Sequence, residues 1–156
     1  MVFRPWAPNA PSATARNANN VPKVKLDLFM KIKLSGDRQL ELSRFEEEEL
    51  DITSKSPALY FSALAMFVAS LGRCTYATLA VYGDRQDIDP ENIRMKLTWQ
   101  FAENPTRYEK IVMDIFWEQL PDSRIKAAQR VAHHCTIHNT IHDCVEIETK
   151  VFNVPR

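Results

Sequence analysis

Apolar and polar positions alternate along residues 24–34. Val24, Leu26, Leu28, Met30, Ile32 and Leu34 fall on one face, and Lys25, Asp27, Lys31 and Lys33 on the other. A period of two with one wet face predicts a half-buried strand. Ser35-Gly36-Asp37 predicts a turn and residues 38–42 a returning strand. The acidic run at residues 46–49 reads as a solvated loop or strand end. Ser56-Pro57 then offers an N-cap followed by proline in a first helical turn. From there to Gly83 the only charge is Arg73. A membrane helix needs roughly 20 apolar residues, but Arg73, Ser62, Ser70, Gly72, Thr75 and Thr78 all dilute this run. It predicts a buried central helix, or two helices meeting near Gly72. A helix apolar on all sides needs cover on all sides, which in a chain of this size comes most easily from dimerisation.

The second half repeats the strand pattern. Ile93, Met95, Leu97, Trp99 and Phe101 alternate with Arg94, Lys96, Thr98 and Gln100. A turn at Asn104-Pro105 and a second strand over residues 108–117 make this a hairpin. Pro121-Asp122-Ser123 opens a helix with Ile125, Ala128, Val131 and Ala132 as its apolar stripe. A last strand covers residues 145–152, with Val145, Ile147 and Val151 facing one way. Helices and strands do not alternate one for one, so the fold class is α+β rather than a doubly wound sheet.

The bulk numbers narrow the function. The 156 residues suit one domain, and 45% hydrophobic with 26% charged is an ordinary globular balance. Lys+Arg and Asp+Glu are both 20, so there is no electrostatic footprint for nucleic acid and no basic patch for a membrane surface. Residues 1–22, with Pro5, Pro8, Pro11 and Pro22 and no apolar h-region, read as a flexible tail or arm rather than a secretory signal. The domain is expected over residues 23–156. Three cysteines at 74, 135 and 144 make a poor disulfide framework. They suit a reducing, cytoplasmic setting in which thiols stay free unless redox-active.

Chemistry is expected at two of those cysteines. Cys74 sits in Leu71-Gly72-Arg73-Cys74-Thr75 inside the apolar helix, and Cys135 follows the second helix in His133-His134-Cys135-Thr136-Ile137-His138-Asn139-Thr140. The first segment resembles the first cysteine box of the OsmC / organic-hydroperoxide-resistance family. The second, from Ala132 to Ile141, resembles its second box. The spacing of 61 residues and the element order between the boxes also match. The resemblance implies antiparallel strands around a long central helix, in an intertwined homodimer with active sites at the subunit interface. It implies a peroxidatic role for Cys74 and a resolving role for Cys135, with organic hydroperoxides as substrates and a small dithiol or thiol protein as reductant. No metal or cofactor is required. The family's Glu at the start of the first-cysteine helix has no equivalent: the registers offer Leu64, Ala58 or Leu59. For the family's arginine, the candidates for thiolate stabilisation are Arg38 and Arg44. Phe61, Met66, Phe67 and Trp99 are candidates to line a site for an apolar hydroperoxide.

The chemistry is coherent without the resemblance. A thiolate attacks the O–O bond, a sulfenic acid forms, and a second thiol condenses with it before over-oxidation. That requires the two Cα atoms to come within roughly 7 Å. Two other readings compete. One is a metal site on His134, His138 and His142, four apart, with Cys135 and Cys144 nearby. The other is a non-enzymatic dimer that binds an apolar ligand or senses oxidants. Cys144 alternates onto the face of Glu146 and Glu148 and reads as a partly exposed bystander.

Overall fold

The alternating stretches become strands in the computed structural model, which describes residues 29–45 and 49–155. Val24, Leu26 and Leu28, the proposed tail and most of the acidic run lie outside the described residues. In chain order the elements are β1 (Phe29–Gly36), β2 (Gln39–Ser43), β3 (Glu49–Ser54), α1 (Ala63–Gln86), β4 (Ile93–Glu103), β5 (Thr106–Glu118), α2 (Ile125–Ala132), α3 (Thr136–Ile141) and β6 (Glu146–Val154). A short 3-10 turn at Asp122–Arg124 precedes α2. The strands form one sheet in the order β3-β1-β2-β4-β5-β6. The pairs β1–β2 and β4–β5 are antiparallel, as the hairpin pattern predicts, and β2–β4 is antiparallel as well. The outer pairs β1–β3 and β5–β6 are parallel, so the sheet is mixed.

Pleating explains the core. Met30, Ile32 and Leu34, Leu40 and Leu42, Ile93, Met95, Leu97 and Trp99, and Ile111, Met113, Ile115 and Trp117 are all buried. Each side chain of this size stabilises the fold by about 1.5–3 kcal/mol when fully buried. α1 lies across β2 and β4, and α2 packs against α1 and β6.

β3 was not expected. Its alternation spans only Leu50 and Ile52 next to the acidic run, and both side chains remain exposed. It pairs with β1 alone and forms the sheet edge. The helix start also differs from the expectation. Ser56 accepts from the Ala58 N–H and closes only a local turn. The cap is Ser62, whose Oγ accepts from the Ala65 N–H at 3.2 Å. From there α1 runs unbroken for 24 residues to Asp87, which turns left-handed at φ 56°. The alternative of two helices meeting at Gly72 is not adopted. Instead Gly72 sets how closely α1 approaches the sheet: a Cβ there would collide with Leu42 Cδ1 and stand 3.3 Å from Leu97 Cδ1.

α1 has two faces. Ala65, Val68, Gly72, Thr75, Leu79 and Gly83 are buried against the sheet and the later helices. Met66, Ser70, Arg73, Ala77 and Val81 face outward, with Met66 55% and Val81 50% exposed.

Candidate active site

Cys74 stands at the border of the two faces of α1 and is half-buried. Thr75, one residue on, points inward and is fully buried. Cys135 arrives from the other end of the chain. The second helix does not reach it, because α2 ends at Ala132 and His133–His134 turn the chain. Cys135 is extended (φ −68°, ψ 144°) and serves as N-cap of the separate helix α3, which the sequence pattern did not predict.

The Cys135 sulfur is 1% exposed by residue and accepts two hydrogen bonds. The His138 N–H donates at 3.2 Å, and the Thr75 hydroxyl donates at 3.6 Å. The first bond is the usual N-cap bond, with sulfur in the place of a Ser or Asp oxygen. Burial pushes the Cys135 thiol above its ordinary pKa. The His138 N–H and Thr75 hydroxyl pull against that rise, and the neighbouring Cys74 thiol adds to it. The bond from Thr75, the residue after Cys74, brings two cysteines that the sequence keeps 61 residues apart into one neighbourhood. Both are free thiols.

Two pockets open beside Cys74. One, of about 660 Å3, runs between α1 and β3; Phe61, Met66, Ile32 and Ile52 give it apolar walls and Arg73 a charge. The other, of about 530 Å3, follows α1 toward its C-terminus, with Thr78, Tyr82 and Arg85 facing Val131 and His134. A helix that presents a thiol between two apolar pockets can deliver a greasy molecule's polar end to sulfur while shielding the rest from water.

The residues proposed from the sequence divide accordingly. Phe61 and Met66 line the larger pocket with Cys74. Phe67 instead stacks on Tyr108 at 5.1 Å between ring centroids, and Trp99 is buried in the core, so neither lines the two pockets at Cys74. Arg38 lies in the β1–β2 turn over the Phe101 ring, 5.1 Å from its centroid. Arg44 follows β2 with φ 57°. Neither borders the two pockets, whose arginines are Arg73 and Arg85. Arg73 is held over the Tyr76 ring at 5.6 Å, and Tyr76 in turn stacks on Phe45 at 4.3 Å. The first turn of α1 carries no acidic residue, in keeping with the missing Glu. Thr75 is the residue that sequence reasoning passed over. Its signal was available, since Val68, Gly72, Thr75, Leu79 and Gly83 share one helical face.

The histidines do not converge. His133 and His138 stack nearly parallel at 4.8 Å, and His138 and His142 at 6.2 Å. Stacked rings present faces to one another, whereas a metal ion needs in-plane lone pairs aimed at one point. Among the described residues, no group of three or more His, Cys, Asp or Glu is arranged to hold a metal ion. Burial, followed by the neighbouring His133, His142 and His134, lowers the pKa of His138. Cys144 is exposed just before β6.

The fold is α+β, with one free thiol on its long helix and another at the cap of a late helix. The sequence model for the family described as OsmC-like protein matches residues 54–150, more than half of the chain, and the chain belongs to that family. No curated protein matches the chain in sequence. Among solved structures it resembles a candidate osmotic-stress-induced and detoxification-response protein from Psychrobacter arcticus 273-4, with TM-score 0.57 and 16% identity over 79% of this chain and 94% of the other. It also resembles an OsmC-like protein from Mycoplasma pneumoniae, with TM-score 0.56 and 23% identity over 64% and 77%. A third is an organic hydroperoxide resistance protein OsmC from Legionella pneumophila, with TM-score 0.52 and 18% identity over 62% and 72%. At these identities the likeness is one of fold, and function has to be argued from the site.

Proposed function

We propose that this protein is a thiol-dependent reductase of organic hydroperoxides, with Cys74 as peroxidatic and Cys135 as resolving cysteine. The observation that carries the reading is a half-buried thiol beside two apolar pockets, followed on its helix by Thr75, whose hydroxyl donates to the buried Cys135 sulfur. The Cys74 thiolate attacks one peroxide oxygen, the O–O bond breaks, and the alkoxide leaves and takes up a proton to become an alcohol. The sulfenic acid on Cys74 is then attacked by Cys135, giving a disulfide and water. A small dithiol or thiol protein restores both thiols by exchange and is itself oxidised. Arg73 and Arg85 supply positive charge at the pockets. Arg38 and Arg44, the arginines expected from the sequence to steady the thiolate, line neither of these pockets. Apart from that reductant the reading calls on no cofactor.

A homodimer in a reducing compartment such as the cytoplasm fits the same reading. Leu50, Ile52 and Met66 at the larger pocket and Val81 at the smaller one leave apolar side chains exposed, and a second copy would cover them. They equally suit an apolar ligand held without turnover, which the assay separates. Cumene hydroperoxide consumption with dithiothreitol is measured for wild type, Cys74→Ser and Cys135→Ser. The reading expects Cys74→Ser to lose activity, and wild-type rates in Cys74→Ser would overturn it.

A further inference from the structure

Threonine and serine within helices ordinarily turn their hydroxyls back on the preceding turn, and this chain shows the habit repeatedly. Ser70 donates to the Met66 carbonyl at 2.9 Å, Thr78 to the Cys74 carbonyl at 3.2 Å and Thr140 to the Thr136 carbonyl at 2.8 Å. Thr75 departs from it. Its side chain is fully buried on the apolar face of α1, and its hydroxyl reaches across to Cys135 Sγ, 60 residues along the chain. Valine would fill that volume without a polar atom to satisfy.

We infer that Thr75 is a positioning residue for the resolving step: it holds the Cys135 sulfur facing Cys74 and solvates it when it ionises. The inference rests on the cysteine-pair reading above and adds a residue to it. The geometry makes the division of labour direct. Cys74 and Thr75 are consecutive on one rigid helix, so the bond from Thr75 ties Cys135 Sγ to the same element that carries its target. The His138 N–H fixes the sulfur from the α3 side. In the resolving step Cys135 gives up its proton, its sulfur bonds to Cys74 Sγ, the S–O bond breaks, and the departing hydroxide takes a proton to leave as water. During attack the sulfur carries negative charge in a buried place, where a hydroxyl donor stabilises it far more than in water. If the attack slows, a second hydroperoxide oxidises the waiting sulfenic acid to sulfinic acid.

The test follows both steps by intact mass. Reduced wild type, Thr75→Val and Thr75→Ser are each mixed with cumene hydroperoxide and sampled over time. Formation of the sulfenic acid is expected to proceed at the same rate in all three. Disulfide formation should slow about tenfold in Thr75→Val, the effect of losing one hydrogen bond to a charged sulfur, with sulfinic acid accumulating on Cys74. Thr75→Ser should recover most of the rate. If Thr75→Val folds poorly, Thr75→Ser compared with Thr75→Ala isolates the hydroxyl in the same way. Disulfide formation at wild-type rate in the hydroxyl-free variants overturns the role of Thr75 alone. A wild type that never forms the disulfide overturns the cysteine pair and, with it, this inference.

Discussion

The backbone N–H of His138 donates to Cys135 Sγ at 3.2 Å, so the proposed resolving thiol is also the N-cap of α3. One sulfur thus ends the chain turn after α2, starts α3 and accepts from Thr75, the residue after Cys74. The arrangement links the reactivity of the site to the stability of a six-residue helix.

That cap can be weighed by substitution. Serine at position 135 keeps an acceptor for the His138 N–H and the Thr75 hydroxyl, whereas alanine leaves both donors buried and unpaired. Cys135→Ser should therefore be more stable than Cys135→Ala by about 0.5–2 kcal/mol, the usual worth of an N-cap. Urea unfolding of the two variants under reducing conditions measures the difference. Equal midpoints would show that the sulfur caps nothing of consequence.

Stability should decline on mild acidification. His138 is 7% exposed and its pKa is lowered, chiefly by burial, whereas an unfolded histidine titrates near about 6.5. Above that value both states hold the ring neutral. As the pH falls below it, the unfolded chain binds a proton that the folded chain resists, so stability is lost progressively down through the folded pKa. His138→Gln should flatten the stability curve in this window. Glu148 acts in a lower one: held down to about 2 by Lys110 and Lys150, it withdraws its contribution only as the pH drops below the ordinary glutamate range. A curve for His138→Gln that overlays wild type between pH 7 and 5 would rule out His138 as the source of the upper loss.

The exposed band on α1 predicts the oligomeric state. Met66→Lys combined with Val81→Lys places charge where the proposed partner would pack, while changing positions 55% and 50% exposed in the isolated chain. Such surface changes usually alter stability by no more than about 0.5 kcal/mol. Analytical ultracentrifugation should give a dimer for wild type and a monomer for the double variant. A monomeric wild type would leave the band without its proposed partner.

Much of this fold was legible in the chain. Residues 93–101 alternate cleanly, because a half-buried strand cannot hide its period of two, and with residues 108–117 they became the central hairpin. The apolar run with one arginine became α1. Both cysteines were singled out by the segments around them. The boundaries were less legible. Ser56-Pro57 imitates a helix start as well as Ser62 does, and only packing decided that Phe61 should enter a pocket before the helix began. β3 is too short and too exposed to leave a clear period, and its place comes from pairing with β1.

The sequence by itself determined which stretches must bury a face and which thiols stand in apolar surroundings, because both follow from the order of side chains along a few turns or strands. Tertiary structure alone decided that Thr75 would serve Cys135 rather than its own helix, and that Phe67 and Trp99 would pack away from the pockets at Cys74. Those outcomes depend on how segments far apart in the chain pack together, as Thr75 and Cys135 do across 60 residues. Gly72 lets α1 settle closely on Leu42 and Leu97 of the sheet, and no local pattern records such an approach.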